Sequence, residues 1–462
     1  MRRTLSSIST ISEHNERLLG FSDAVFAIAM TFLALDLGAI PDDVGDPGGP
    51  TTAQFLAENI PDYVVYFGTF LMVAYLWWRH HLMFRYIKRS STLLVWLNTL
   101  MLALVAMLPY PAAVLSEAYH FAFAFVLLLV PLTLIGLFQW LAWEAAVVQK
   151  LIIPDTPAAT IRYIRGQVMA SPIVLALASV LAYVGWQTGS HMWLRIGAAL
   201  WALLIVIPLV LRHFYPPPDK AYEFPEDELP DVWKSRDELD AERSRKVRSS
   251  LERLRNGSDT DRIKILTDGV VAIAVTILAL QLRPPHVDGE LTDEVLVENF
   301  QSVPWWTYLV TFVLISLFWR GHVRIFTAIR GADPAMLWLN LLFLMSIAFL
   351  PMTAALIAQS PDTTATAFYL LVMFLAGISM AGLGQYGSRA KGLEVSLGTE
   401  RERLVSSMRS ITAAFAFLVA LILVVVFDAP ILSNVVWVIF IVAGQWSRWL
   451  LRNDGEAAMA ST

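Results

Sequence analysis

The groups in this chain best placed to do chemistry in an apolar setting form one short pattern that occurs twice. Arg17, Phe21, Ser22 and Asp23 open a segment running into AVFAIAMTFLALDL; Arg262, Leu266, Thr267 and Asp268 open another running into GVVAIAVTILALQL. The copies lie 245 positions apart (17 to 262), and ten of the fifteen residues from Asp23 to Leu37 are identical to those from Asp268 to Leu282. A cation, a hydroxyl and a carboxylate beside an apolar helix can meet an ion or tie helices together. Arg17 and Phe21 are four apart, so they share a helix face and can make a cation–π contact. Arg17 and Asp23 are six apart, roughly 240° around a helix, so their partners must come from other helices. Ser22-Asp23 and Thr267-Asp268 could also simply cap and charge-match a helix start. The recurrence of Arg, hydroxyl and Asp together favours a specific interhelical network.

Further polar residues recur downstream. Trp78-Arg79-His80-His81 pairs with Trp319-Arg320-Gly321-His322, Trp96-Leu97-Asn98 with Trp338-Leu339-Asn340, and Leu108-Pro109 with Leu350-Pro351. His81, His322, Asn98 and Asn340 then fall at membrane depth, where polar groups are costly unless partnered. The economical reading is that they bond to the Ser/Thr-Asp motif and lock the first helix against the next two. Proton relay or ligand binding by the histidines is the alternative, and no His/Asp/Glu cluster has metal-ligand spacing.

Past Asp23 the helix turns apolar, with Ile28, Phe32 and Leu35 at i, i+4, i+7, repeated as Ile273, Ile277 and Leu280. Such a stripe is ordinarily core packing. Thr31 and Thr276 are the matched hydroxyls deep in this helix. They either bond back to their own helix or lie beside a permeating ion.

The elements that must position these groups are membrane spans. The chain has 462 residues, 56% hydrophobic and 16% charged, with mean hydropathy +0.58. That lies outside the soluble globular range. Runs such as residues 121–143 suffice to cross a hydrocarbon core roughly 30 Å thick. Six spans are expected near 20–40, 60–84, 92–115, 119–147, 167–187 and 192–213, and six more near 265–282, 304–328, 335–358, 366–388, 406–427 and 430–451. The expectation is an all-α polytopic membrane protein of twelve helices in two parallel six-helix repeats: repeat I over 1–213, a charged linker over 214–260, and repeat II with a short tail over 261–462. The stretch 20–37 opens repeat I and 265–282 opens repeat II.

Loop charge orients the chain. The loop after the first span has no Lys or Arg, whereas Arg85, Lys88 and Arg89 follow the second and Lys150, Arg162 and Arg165 the fourth. Arg324 and Arg330 follow the eighth, and Arg389, Lys391, Arg401 and Arg403 the tenth. Both termini and the linker are therefore expected in the cytoplasm. Zero cysteines exclude disulfides and thiol chemistry. A net charge of −5 gives no reason to expect nucleic acid. The N-terminus lacks a signal-peptide pattern. The sequon Asn256-Gly257-Ser258 falls in the linker. Neither a P-loop, a nucleophile elbow nor a TVGYG-type filter occurs, so an enzyme is not expected.

Arg-x-x-x-Phe-Ser-Asp opening span one, Trp-x-x-His ending span two, and Asn then Pro in span three resemble the transmembrane protein 175 family of potassium channels. Its animal members are lysosomal and have two repeats; many prokaryotic ones have a single repeat. The resemblance to the two-repeat form covers nearly the whole chain. It implies a potassium-preferring cation channel with no cofactor beyond the permeant potassium ion, and a homodimer forming a pseudo-tetrameric pore. It further implies that the first helix of each repeat lines the pore, with Ile28 and Ile273 at the constriction and Thr31, Phe32, Leu35, Thr276, Ile277 and Leu280 along the wall. Leu266 stands where the motif has Phe, which removes the aromatic neighbour of Arg262, and Ala27 and Ala272 stand where the first animal repeat has serine. With no transit signal, a prokaryotic cell membrane is expected, an endosomal or lysosomal one being the alternative. The rival class is a twelve-helix secondary transporter, proton- or cation-coupled. The loop RHHLMFRYIKRSST lacks the major-facilitator G-x-x-x-D-x-x-G-R-R pattern.

Overall fold

The computed structural model describes residues 2–190, 260–282, 304–389 and 400–439, less positions 36, 38, 39, 42, 154, 155, 281, 328, 330 and 437, together with scattered residues between 192 and 207. In chain order the helices are α1 (Arg2–Phe32), α2 (Thr52–Glu58), α3 (Ile60–Phe84), α4 (Thr92–Met107), α5 (Pro109–Glu117), α6 (Ala122–Val148) and α7 (Ala158–Thr188). There follow α8 (Thr260–Leu280), α9 (Trp305–Thr327), α10 (Pro334–Gln359), α11 (Thr363–Arg389), α12 (Glu400–Phe427) and a 3-10 turn, Pro430–Asn434. Among the described residues, eight helical stretches are long and apolar enough to cross a membrane, counting α4 with α5 as one, and Ile411–Phe427 adds a shorter apolar helix. This is an all-α polytopic membrane protein. The span near 20–40 is the end of α1, and those near 192–213 and 430–451 lie largely outside the described residues, as do the linker 214–260 and the loop 283–303.

Local chemistry sets where helices start. Thr51 caps α2: its hydroxyl accepts from the Gln54 N–H at 3.2 Å, and Gln54 Oε1 accepts from the Thr51 N–H at 2.8 Å. Ser91 caps α4 and Asp333 caps α10 in the same manner, at 3.2 and 2.9 Å. The recurring Leu-Pro pair has two outcomes. α4 stops before Pro109, where a second proline, Pro111, follows closely, whereas α10 runs through Pro351. One missing N–H bends a helix; two within three residues divide it.

The packing follows different boundaries from the sequence repeats. One compact unit gathers Met1–Ala29 with Val65–Ile265; the other gathers Met30–Val64 with Leu266–Thr462. The expected division at 213/214 and 260/261 is thus a division of sequence, while α1, α3 and α8 each pass from one unit into the other. In the first unit α6 lies along α7 and against α4, around Met83, Leu94, Trp143, Ile164 and Val168, all at most 1% exposed. Below them the loops after α3 and α6 pair through Lys88 N–H to Leu151 O (2.9 Å) and Ile153 N–H to Tyr86 O (2.8 Å). In the second unit α11 lies along α10 and α12. The loop after α1 joins this unit through specific contacts: Thr52 Oγ1 to Ser360 Oγ at 2.9 Å, the Gln359 amide donating to Pro41 O, and Tyr63 edge-on to Phe349.

Candidate functional site

Asp23 lies in the second half of α1, six residues past the exposed Arg17, and has no exposure to solvent. A buried carboxylate must be paired and hydrogen-bonded, and the partner is the motif arginine of the other repeat. Arg262, 6% exposed, grips it with two bonds, Nη2 to Oδ1 at 2.5 Å and Nε to Oδ2 at 3.0 Å. Trp77 Nε1 adds a third donor, 2.8 Å from Oδ1. All these residues lie in the first unit.

From Arg262 a directed chain of hydrogen bonds runs through the helices. Arg262 Nη2 is 3.0 Å from His80 Nδ1, and a guanidinium can only donate. Nδ1 is therefore the acceptor, and the imidazole is the neutral Nε2–H form. Nε2 then donates to Asn98 Oδ1 at 2.9 Å, Asn98 Nδ2 donates to Ser22 Oγ at 3.0 Å, and Ser22 donates to Leu18 O at 2.8 Å. Phe84 and Phe26 flank the imidazole at 4.4 and 5.8 Å between centroids. The consequence is orientation: α1 is tied to α3 and α4 at a fixed depth and rotation.

The second unit repeats the scheme with one member missing. Trp319 Nε1 donates to Asp268 Oδ1 at 2.7 Å, His322 Nε2 lies 2.9 Å from Asn340 Oδ1, and Asn340 Nδ2 donates to Thr267 Oγ1 at 3.1 Å. Phe326 and Phe343 stack on His322. No arginine reaches Asp268 among the described residues, and Asp268 is exposed. Arg17 is exposed as well.

Several expectations change in detail. The contacts assigned to Trp78 and His81 are made one residue earlier, by Trp77 and His80. The pairs Trp77/Trp319, His80/His322 and Asn98/Asn340 all share an offset of 242, and a one-residue slip turns a helical side chain by about 100°. Trp78 instead lies beside Tyr75, and His81 stacks on Trp77 at 5.4 Å. Phe21 is 56% exposed and forms no cation–π pair with Arg17 among the described contacts. Arg262, whose neighbour is Leu266 rather than Phe, has the Trp77 ring 6.0 Å from its Cζ.

The apolar segments beyond the anchors present different faces. On α1, Ile28 and Phe32 are 41 and 43% exposed, as is Leu35 (43%) in the turn that follows, whereas Thr31 is fully buried. On α8, Thr276 and Leu280 are exposed, Ile273 is half-buried and Ile277 is buried. The Thr276 hydroxyl donates to the Ile273 carbonyl at 2.8 Å. The matched stripes are thus rotated by about one residue, and Thr31 and Thr276 are not equivalent.

A family model described as endosomal/lysosomal potassium channel TMEM175 matches residues 17–109 and 262–351, the stretches holding both networks. A potassium channel of Streptomyces collinus is 38% identical over 177 residues, covering 36% of this chain and 83% of that protein. The endosomal/lysosomal proton channel TMEM175 of Gallus gallus is 38% identical over 106 residues, 22% of this chain but only 21% of that protein. A crystal structure of a lysosomal potassium-selective channel TMEM175 homologue from Chamaesiphon minutus is 26% identical with TM-score 0.34, over 41% of this chain and 98% of that one. With the motif present twice and matched on both occasions, the chain belongs to the TMEM175 family.

Proposed function

We propose that this protein is a potassium-preferring cation channel. Its pore is lined by α1 and α8 and narrowed by Ile28 and Ile273. The observation that carries the reading is the division of α1 into a buried polar anchor and an apolar face left open. Arg262, Trp77 and Asn98 hold the helix at Ser22 and Asp23, while Ile28, Phe32 and Leu35 stay about two-fifths exposed. A hydrophobic constriction held on a rigid helix gates by size and dewetting. The relatives' names, potassium channel and proton channel, agree with cation conduction.

The assembly is a homodimer. Within one chain the arginine of the second copy satisfies the aspartate of the first, which leaves Arg17 and Asp268 without each other. A twofold axis brings Arg17 of one protomer to Asp268 of its partner and closes a ring of four first helices. Both termini face the cytoplasm, an orientation that the basic loops support, and the membrane is that of a prokaryotic cell.

Single-channel recording in a planar bilayer tests the reading. Unitary currents with a potassium-biased reversal potential under bi-ionic potassium/sodium conditions are expected. Saturable, stoichiometrically coupled flux without unitary currents would replace the channel by a transporter.

A further inference from the structure

The first unit holds a second buried cation that the anchoring network does not use. Arg79 of α3 is 1% exposed, and an arginine stays charged wherever it is placed. Its Nη1 donates to Ser171 Oγ and its Nη2 to Val168 O, both on α7, and its Cζ lies 5.4 Å from the Tyr75 ring centroid. None of these partners carries a formal negative charge. Glu144 of α6 is taken bidentately by Arg165 at 2.5 and 2.8 Å, and Asp23 is taken by Arg262. Among the described residues Arg79 therefore has no counter-charge, a costly state in a low-dielectric interior.

The surroundings carry the argument further. Thr160, Gln167 and Ser171 recur at i, i+7, i+11 on one face of α7, and all three are fully buried. The Thr160 hydroxyl, both amide atoms of Gln167, Nε1 of Trp143, Oε1 of Gln139 and Nε of Arg79 itself have no hydrogen-bond partner. Three of these atoms on α3, α6 and α7 are donors, two are acceptors and the hydroxyl can act as either. Water could satisfy the amide, but water does not neutralise the guanidinium.

The fold does not require the charge. At the offset of 242, Arg79 corresponds to Gly321, where an added Cβ would lie 3.4 Å from Met380. Gly136 of α6 closes on Ser171, just as Gly377 of α11 closes on Ala414. The position of Arg79 is thus glycine in the other repeat, where Gly377 meets Ala414 as Gly136 meets Ser171, and a similarly close helix contact forms without polar groups.

We propose that the seam between α3, α6 and α7 is a binding site for a small monoatomic anion, chloride in practice, held by Arg79 and Gln167. A small ion is favoured because α6 and α7 are in close contact there: a Cβ on Gly136 would come 2.7 Å from Ser171 Oγ. The site is separate from the helices proposed to line the pore and does not rest on the channel reading.

The test is thermal unfolding of the full-length protein in detergent, followed by tryptophan fluorescence, as potassium chloride replaces potassium gluconate at constant ionic strength. A saturable rise in Tm with chloride, reproduced by bromide, is expected, because a ligand bound only to the native state stabilises by mass action. The response disappears in Gln167→Leu, which keeps Arg79, and in Arg79→Gln if that variant folds. Crystals grown in bromide show an anomalous peak beside Arg79 and Gln167. Superimposable chloride and gluconate melting curves, a chloride response unchanged in Gln167→Leu, or ordered water alone at that position would each overturn the proposal.

Discussion

Replacing Arg262 with alanine would strip Asp23 of both charge-assisted bonds and leave a buried carboxylate with Trp77 as its remaining side-chain donor. Three bonds from the guanidinium disappear together, two to Asp23 and one to His80. Breaking a buried pair by removing one partner costs about 3–5 kcal/mol, mostly through the uncompensated charge. Asp23 has no exposure through which water could offset the loss. Asp23→Asn should cost less, since the amide retains the shape and the tryptophan contact, and an arginine freed at a helix start can extend its charge to the interface. The two changes combined should then cost less than their sum, by about 0.5–3 kcal/mol. Equilibrium unfolding in mixed micelles, with the four proteins of the double-mutant cycle, measures this directly. A loss under about 0.5 kcal/mol in Arg262→Ala, or strict additivity in the cycle, would refute the claim that this pair holds the first helix in place.

Arg17→Ala, at an exposed position, should leave protomer stability within about 0.5 kcal/mol while lowering the dimer fraction in light-scattering chromatography; an unchanged dimer argues against the cross-protomer pair. Replacing Ile28 and Ile273 together by Asn should wet the constriction and raise current at every voltage, and reduced or unchanged conductance in a well-folded variant counts against that neck. Thr276→Val should lower the potassium-to-sodium permeability ratio, whereas buried Thr31→Val should cost about 1 kcal/mol of stability with the reversal potential unmoved. Gly377→Ala places a Cβ 3.0 Å from the Ala414 Cα and should destabilise by about 1–3 kcal/mol; Gly20→Ala, with nothing within 4 Å, should be neutral or mildly stabilising, as thermal melts will report.

The repeat, the membrane class and the involvement of Asp23, Asn98 and Asn340 in polar contacts were legible because charge and amide groups are rare in apolar spans and recur at fixed spacing. The tryptophan–histidine register was also present in the sequence: Trp96/Trp338 and Pro109/Pro351 share an offset of 242, and extending it pairs Trp77 with Trp319 and His80 with His322. Two adjacent tryptophans and two adjacent histidines obscured it, since matching Trp78-Arg79 to Trp319-Arg320 adds one identity at the cost of the offset. The origin of the arginine on Asp23 was not legible. Periodicity shows that Arg17 cannot reach Asp23 but says nothing about which distant arginine does. The differing faces of α1 and α8 were equally hidden, because identical residues are buried or exposed according to neighbours that sequence similarity does not encode.

The clamp on Asp23 also has a timetable. Its arginine lies 239 residues further along the chain, and translation at roughly 5–20 residues per second puts about 12–48 s between the two. During that interval Trp77, His80 and Asn98 emerge and can insert, but the carboxylate they surround has no cation. The nascent first bundle must wait with an unpaired carboxylate on its first helix until the start of α8 arrives. Splitting the gene between the repeats would make that wait permanent, so two separately expressed halves should accumulate only when the second is supplied in trans.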